Sequence, residues 1–485
     1  VSIEMSETPV LKIKDAAIYE RRLAMRVPFR FGAATVTEAT QAFLSLTIED
    51  SKGRIAEGYA AELMVPKWFD KNPDLGNAEN EDQLRQSLHM AVALARTAEP
   101  ATAFELHARM EPQHHNDAAK RGFNGLITSF GLALVDRAIL DALCRLNDLS
   151  VTDAIRINLP GINASTTPDL AAFDISVFLE GLKPQPSLFL RHTVGYIDAL
   201  RPDDIKGHRL NDGLPECLEE EIATYGLRYF KLKVSGRPKE DTERLKAIAA
   251  VLATLPDYQV TLDGNEQFAD EDSVLDLLAQ IDAEPALAQL RRSLLFIEQP
   301  IARHNAFNQS VSRLAGKVPV EIDESDGTPD AFLLAKAQGY RGISSKSCKG
   351  FYRSVLNAMR ISKWNGENSG GYFMSAEDLT TQAGIAVQQD LALAALLGLG
   401  HIERNGHHYV SGMAGATDGE NHAWLSAHPD LYRNAGDGRA KLSAVNGQIS
   451  LATAIAAKGL GVDADAAKAT FSALQASSSD QERTS

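Results

Sequence analysis

Arg228-Tyr229-Phe230-Lys231-Leu232-Lys233-Val234 reads as a strand, and residues 241–255 after it read as a helix. Tyr258-Gln259-Val260-Thr261-Leu262-Asp263 is the next strand, followed by a helical stretch at 272–290. The alternation continues. Leu294-Leu295-Phe296-Ile297-Glu298, Val318-Pro319-Val320-Glu321-Ile322-Asp323, Gly342-Ile343-Ser344-Ser345-Lys346 and Tyr372-Phe373-Met374-Ser375 read as strands, with helices at 351–364 and 379–397. Thr328-Pro329 supplies a helix cap with proline at the first helical position. Strands separated by helices at this spacing argue for parallel βα units. Seven or eight of them argue for an α/β fold, a closed (β/α)7–8 barrel.

Outward from this core the texture changes. Residues 11–62 alternate as strands do, with Glu49-Asp50-Ser51-Lys52-Gly53 as a turn. Between the early strands lies a Pro/Gly-punctuated loop at 26–32. Helices follow at 81–99 and 132–146, the second with Leu132, Val135, Ile139, Leu143 and Leu146 at helical spacing. Residues 1–150 therefore read as an α+β capping domain, 151–187 as a Pro-rich insertion or linker, and 188–405 as the barrel. Residues 406–475 are expected to return and complete the cap. The tail, 476–485, is rich in Ser, Asp and Glu and is expected to be disordered.

The chain has 485 residues, 44% of them hydrophobic, and a formal charge of −15. That length suits one large barrel plus a smaller domain. The acidic balance argues against nucleic acid as a partner. No apolar run reaches the roughly 18–20 residues of a membrane span, and residues 1–14 lack the apolar core of a signal peptide. Cys144, Cys217 and Cys348 fall in no CxxC spacing, which argues against disulfides and cysteine-held zinc. A cytoplasmic enzyme acting on a small molecule is expected, as a homo-oligomer.

What ends each strand carries the chemistry. Lys231 and Lys233, Asp263, Glu298, Asp323 and Lys346 close successive strands, about one βα unit apart. Charged residues at the C-terminal ends of parallel barrel strands converge on one mouth. A single carboxylate at a strand end is usually a helix cap or an ion-pair partner, but five charged positions in register are not explained that way. Three carboxylates from three adjacent strands form a hard, all-oxygen site suited to Mg²⁺. Mg²⁺ on a substrate carboxylate stabilises the enediolate left after loss of the α-proton. A lysine whose pKa is lowered by the metal and a neighbouring lysine can take that proton. Lys231 and Lys233 point to the same side, because strand period is two.

These motifs, Phe230-Lys231-Leu232-Lys233-Val234, Leu262-Asp263-Gly264-Asn265, Phe296-Ile297-Glu298-Gln299-Pro300, Ile322-Asp323-Glu324-Ser325 and Lys346, resemble the enolase superfamily, and within it the muconate-lactonizing subgroup of the mandelate racemase/muconate lactonizing enzyme family. The resemblance runs from about Leu11 to Leu397. It implies Asp263, Glu298 and Asp323 as ligands of Mg²⁺, with Mn²⁺ as the alternative. It implies Lys233 and Lys346 as acid/base groups on opposite faces. Lys231 would bind the substrate carboxylate and depress the pKa of Lys233. Asn265 would sit behind the metal and, with Arg26, Arg30 and Glu377, contact the substrate. The mandelate racemase subgroup uses a histidine after strand seven; here Met374-Ser375-Ala376-Glu377-Asp378 has none, which favours the two-lysine subgroup. After Lys346 the family has paired glycines, whereas this chain has Ser347-Cys348-Lys349-Gly350, so Lys349 competes with Lys346. Extra length lies around 68–80, at 158–187 and after Gly400.

The expected activity is Mg²⁺-dependent α-proton abstraction: racemisation or epimerisation, cycloisomerisation, or dehydration. A Schiff-base lysine aldolase on the same barrel type and a non-catalytic binding protein are the rival readings. Loop 26–32 is read as a cover over the substrate, and Lys67-Trp68 as part of a second covering loop. His401, His407 and His408 lack an acidic or cysteine partner at metal-ligand spacing. His114 and His115 are read as surface residues.

Overall fold

The computed structural model describes residues 8–31, 34–367, 370–379, 381–434 and 436–484. The chain opens with three antiparallel strands, β1 (Leu11–Phe31), β2 (Ala34–Asp50) and β3 (Ile55–Met64), in the order β1-β2-β3. Asp50 makes the β2–β3 turn: its Oδ1 accepts from the Lys52 and Arg54 amides, both at 2.9 Å, and Gly53 takes φ +76°. Helices α1 (Asn77–Thr97) and α3 (Gly125–Leu146) pack on this sheet, and α2 (Ala103–Ala119) packs on both of them. α3 is apolar on nearly every face and buried from Leu126 to Cys144, so it is the central rod of the cap. Gly58 lets β3 touch the α3 backbone at Ala138, and Gly131 lets α3 touch α1 at Ser87; a Cβ at either position would strike a carbonyl.

Eight strands then run parallel: β4 (Ser187–Val194), β5 (Tyr229–Lys233), β6 (Gln259–Asp263), β7 (Leu294–Glu298), β8 (Val320–Ile322), β9 (Gly342–Ser345), β10 (Phe373–Ala376) and β11 (His401–Glu403). Their order is β10-β9-β8-β7-β6-β5-β4-β11. β10 and β11 meet to close the ring, with no ladder between them among the described residues. Phe230 and Leu232 of β5 face the helices and lie in the barrel's apolar core, while Lys231 and Lys233 face the axis. Register puts Lys233 beside Asp263 and Asp263 beside Glu298. Three charged strand ends are thus neighbours by backbone hydrogen bonding alone.

Two helices are shorter than the sequence pattern suggests. The one expected at 272–290 stops at Ala283, because Pro285 follows and cannot continue the hydrogen-bond ladder. The one expected at 379–397 begins only at Ile385, after Gly384 at φ +121°. Residues 158–187 hold the short helices Pro168–Leu170 and Ile175–Glu180, whose Leu170 and Leu179 join the cap's core. After β11 the strand Gln448–Ser450 pairs antiparallel with β4, and the helix Ala464–Thr484 packs Phe471 against Tyr19, Phe43 and Tyr59 of the cap sheet. That helix runs through the tail expected to be disordered; Ala466, Ala467, Phe471 and Leu474 give it an apolar stripe that docks and nucleates it.

Loop 26–32 is also corrected. Residues 26–31 belong to β1, and Gly32 lies outside the described residues. Pairing with β2 jumps from Ala24–Glu38 to Phe29–Val36, a bulge that accommodates Pro28, which has no amide hydrogen to donate. No helix among the described residues is long and apolar enough to cross a membrane. The three cysteines are buried and unbridged.

Candidate active site at the barrel mouth

The strand ends bring Asp263, Glu298, Asp323 and Glu377 together with Lys231, Lys233 and Lys346, all of them buried. Lys231 Nζ lies 2.7 Å from Glu298, 3.0 Å from Asp263, 3.1 Å from Glu377 and 2.7 Å from Glu403. Lys233 Nζ donates to Asp263 Oδ2 at 2.5 Å. Across the mouth, Lys346 Nζ lies 2.6 Å from Asp323 and 2.7 Å from Glu377. Lys233 and Lys346 therefore flank the carboxylates from different strands, and both line the same pocket with Asn265, Glu377, Phe29 and Trp68.

The two candidate lysines of the sixth strand end are separated by the structure. Lys349 sits in the short 3₁₀ turn Ser347–Lys349. Its ammonium donates to the carbonyls of Ser344 at 2.8 Å and Asp323 at 3.1 Å, and to Ser344 Oγ at 2.8 Å. It braces the backbone beneath Asp323 and is not among the pocket-lining residues, whereas Lys346 is.

The charges are unequal in their protonation. Burial raises Glu298, and neighbouring Asp263 and Glu377 add to that, so its carboxyl sits well above the ordinary range. Burial would also raise Asp323, but Lys346 and Lys349 outweigh it and hold that group below the ordinary range. Glu377 is held well below as well, by Lys231 and Lys346 against its own burial. Burial alone would lower Lys346; Asp323 and Glu377 outweigh it and hold the ammonium well above the usual lysine value. Lys231 is raised in the same way, burial being overcome by Asp263, Glu298, Glu377 and Glu403. Lys231 and Lys346 are thus both held as ammonium ions by carboxylates at contact distance.

The donor set fits a hard divalent cation. Glu298, Asp323 and Glu377 each offer one oxygen, all within 4.8 Å of one another. Glu298 Oε2 is buried without a hydrogen-bond partner. Asp263, expected as the third ligand, has its Oδ2 shared by Lys231 and Lys233, and it stands beside Glu298 in the sheet. Glu377, expected as a substrate contact, lines the pocket and also lies inside the carboxylate cluster.

Asn265 reaches the pocket at φ +39°, its amide donating to Asp263 Oδ1 at 2.8 Å and its side chain to Glu324 at 3.3 Å. Gln299, also left-handed at φ +32°, accepts from the Asp323 amide at 2.8 Å and so ties the end of β7 to the end of β8. The arginines are placed elsewhere. Arg26 pairs with Asp212 at 2.5 Å and donates to the carbonyls of Leu214 and His408, each at 3.1 Å. Arg30 is exposed on β1. Both leave the pocket because the bulge at Pro28 turns Phe29 inward instead. Of the Lys67-Trp68 pair, Trp68 lines the pocket, while Lys67 bonds back to the carbonyls of Asn72 and Leu75. His114 is a correction too: it is buried, with Nε2 3.0 Å from the Thr128 carbonyl.

Sequence reading missed Arg191, Thr193, Glu403 and Asn405. Arg191 lies 3.3 Å from Glu377, Asn405 donates to Glu403 at 2.7 Å, and Thr193 also donates to Glu403. The signal was present. Ile402-Glu403 ends a strand as Ile297-Glu298 does, and Arg191 and Thr193 share the period of two that marks Lys231 and Lys233.

No sequence-family profile and no curated protein matches the chain. Solved structures do. An enolase from Bradyrhizobium, complexed with magnesium and mandelic acid, superposes with a TM-score of 0.59 at 16% identity, covering 93% of this chain and 96% of that one. A dipeptide epimerase from Enterococcus faecalis V583, complexed with Mg and the dipeptide L-Leu-L-Tyr, gives 0.57 at 14% identity, over 93% and 99%. A muconate lactonizing enzyme from Klebsiella pneumoniae gives 0.57 at 17% identity, over 95% and 99%. The chain shares the fold of these three proteins. Phe29 of β1, and Val65 and Trp68 after β3, are the cap's contributions to the pocket.

Proposed function

We propose that the chain is a Mg²⁺-dependent enzyme that removes the α-proton of a small carboxylate, as a racemase or epimerase or as a cycloisomerase. The observation that carries this reading is the placement of Lys233 and Lys346 on two sides of one carboxylate cluster in one pocket. Glu298, Asp323 and either Glu377 or Asp263 hold the ion. When bound, Mg²⁺ supplies positive charge that offsets the charge left on the substrate carboxylate and weakens the anionic field that keeps Lys346 protonated.

Lys233 and Lys346 take and return the proton at the α-carbon from opposite faces. Lys231 and Arg191 hold the surrounding carboxylates in place. Phe29, Trp68 and Leu379 shield the pocket from water, which strengthens every charge interaction inside it. An acid dehydratase uses the same first step, with one lysine as base and the other as a fixed cation. A Schiff-base aldolase has no use for the converging carboxylates, and borohydride trapping separates it. Three buried, unbridged cysteines suit a cytoplasmic setting.

The test is solvent exchange. The protein is incubated in D₂O with Mg²⁺ and a library of carboxylic acids, dipeptides and N-acyl amino acids, and mass gain at the α-carbon is read. Exchange that needs Mg²⁺ supports the reading; no exchange with any member, by protein shown to bind Mg²⁺, removes it.

A further inference from the structure

Alternation along β4 sends Arg191 and Thr193 toward the barrel axis and His192 outward, under the helix Leu218–Tyr225. There His192 meets two groups distant in sequence. His192 Nδ1 is 3.0 Å from His407 Nε2, and His407 Nε2 is 3.5 Å from Glu221 Oε2. One ligand atom from each of the three residues lies within 4.8 Å of the other two. The sequence offered no acidic partner near His407; the fold brings one, Glu221, from the outer helix.

We propose that His192, His407 and Glu221 form a second metal site, for a transition ion of the zinc type, separate from the carboxylate cluster in the mouth. The geometry fits. Two ligands on a tetrahedral ion with bonds of about 2.0–2.1 Å stand about 3.3 Å apart, and the two measured separations bracket that edge. The donors are two imidazoles and one carboxylate, a set that suits zinc and not magnesium. Glu221 is fully buried, and its Oε2 accepts no hydrogen bond. A buried carboxylate oxygen left without a donor costs stability unless something positive meets it. Its other oxygen is already held by His408 Nδ1 at 2.6 Å, which orients the carboxylate as an outer partner of a metal ligand does. The nearby cations are engaged elsewhere: Arg404 with Asp378, Lys441 with Asp437, and Arg26 with Asp212.

The site would join three elements: β4, the outer helix, and the turn Gly406–Tyr409 that follows β11. Thr193, next to His192, and Asn405, two residues before His407, both donate to Glu403 in the mouth. An ion here would therefore pin the segments that hold Glu403.

The test uses chelator-stripped full-length protein with Mg²⁺ in excess, so that the carboxylate cluster is filled. Zn²⁺ is added, the protein is dialysed and the retained metal counted; Co²⁺ is added separately and its visible spectrum read. One retained equivalent of Zn²⁺ and the intense absorption of four-coordinate Co²⁺ are expected. His407→Gln and Glu221→Gln should lose both, while His408→Ala should weaken Zn²⁺ binding by about 10–100-fold. No retained Zn²⁺ in the wild type, or only the weak spectrum of an all-oxygen octahedral site, overturns the proposal, as do variants that keep the equivalent. Should the variants fail to fold, X-ray absorption on the wild-type zinc protein decides: two imidazoles in the shell support the site, and none overturns it. None of these outcomes depends on the α-proton chemistry, so either reading can fail alone.

Discussion

The ammonium of Lys346 lies 4.4 Å from the centre of the Trp68 indole. One residue ends a barrel strand; the other follows the last strand of the cap. The ring faces the cation, so the cap supplies part of the surroundings of a proposed base. A cation over an indole gains about 0.5–2 kcal/mol. Trp68→Ala should cut exchange at the Lys346 face about tenfold or more, and Trp68→Phe should restore most of it. Equal loss on both faces would show that Trp68 acts only in general closure of the pocket.

Lys233→Ala and Lys346→Ala should each cost about 10²–10⁴-fold in exchange. If both lysines act as bases, each variant retains exchange of one substrate enantiomer only, and the two variants retain opposite ones. If one variant alone loses all exchange, the chemistry is one-base, and the reading shifts to cycloisomerase or dehydratase.

Lys349→Met tests the assignment of the sixth strand. Its ammonium serves the carbonyls of Ser344 and Asp323 and lies 3.1 Å from Asp323 Oδ1, so the loss should appear as lower stability, about 1–3 kcal/mol for buried acceptors left unpaired, and as a higher Mg²⁺ requirement. Exchange on both faces should persist in the folded fraction. Abolished exchange with an unchanged melting temperature would transfer the base to Lys349.

Glu298 gives a pH prediction. Its folded pKa is raised, so the stability it contributes to metal-free protein is full below its ordinary value of 4.5 and is lost as pH rises through the raised value. Asp323 and Glu377 are lowered and act with the opposite sign, their stability being lost only as pH falls below the carboxylate range. Glu298→Gln mimics the protonated form. Without metal it should be more stable than wild type at pH 8, by about 1–3 kcal/mol, and it should lose the rise in melting temperature that Mg²⁺ gives wild type. Glu62 and Glu321, both pushed up to about 8, leave a residual slope in the variant, so the difference between the two melting curves is the quantity to read. Equal melting curves across pH 5–8 would show that Glu298 is ionised throughout.

The Arg26–Asp212 pair makes a claim about the cap. Arg26→Ala should lower stability, and adding Asp212→Ala should cost less than the sum of the two single changes, with a coupling of about 0.5–3 kcal/mol. A change in KM with unaltered stability would instead return Arg26 to the substrate.

Much of this was legible in the chain because strand period and strand end coincide. Lys231, Lys233, Asp263 and Glu298 were found by one rule, that a charge closing an apolar strand faces the barrel mouth, and the sheet register places them side by side. Glu403 obeys the same rule but ends a strand of only three residues, too short to stand out by pattern. The fate of Arg26 could not be read locally. Its partner Asp212 lies 186 positions away, and the bulge at Pro28 decides which neighbouring side chain turns inward. The His192–Glu221–His407 cluster is likewise a product of topology, since residues 215 positions apart meet only when β4 and β11 pair.

The helix Ala464–Thr484 carries a consequence for biosynthesis. Gln475 bonds to Tyr19 across 456 positions, and Phe471 covers the face of Tyr19, Phe43 and Tyr59. As the chain emerges from the ribosome, β1 to β3 are made first, yet the surface they present to this helix stays wet until the whole barrel has been translated. Three aromatic rings on a young sheet are then open to chaperones and to neighbouring nascent chains for most of the synthesis time. A stop codon between Asn405 and Phe471 would release a protein with its catalytic strands complete and its cap unsealed.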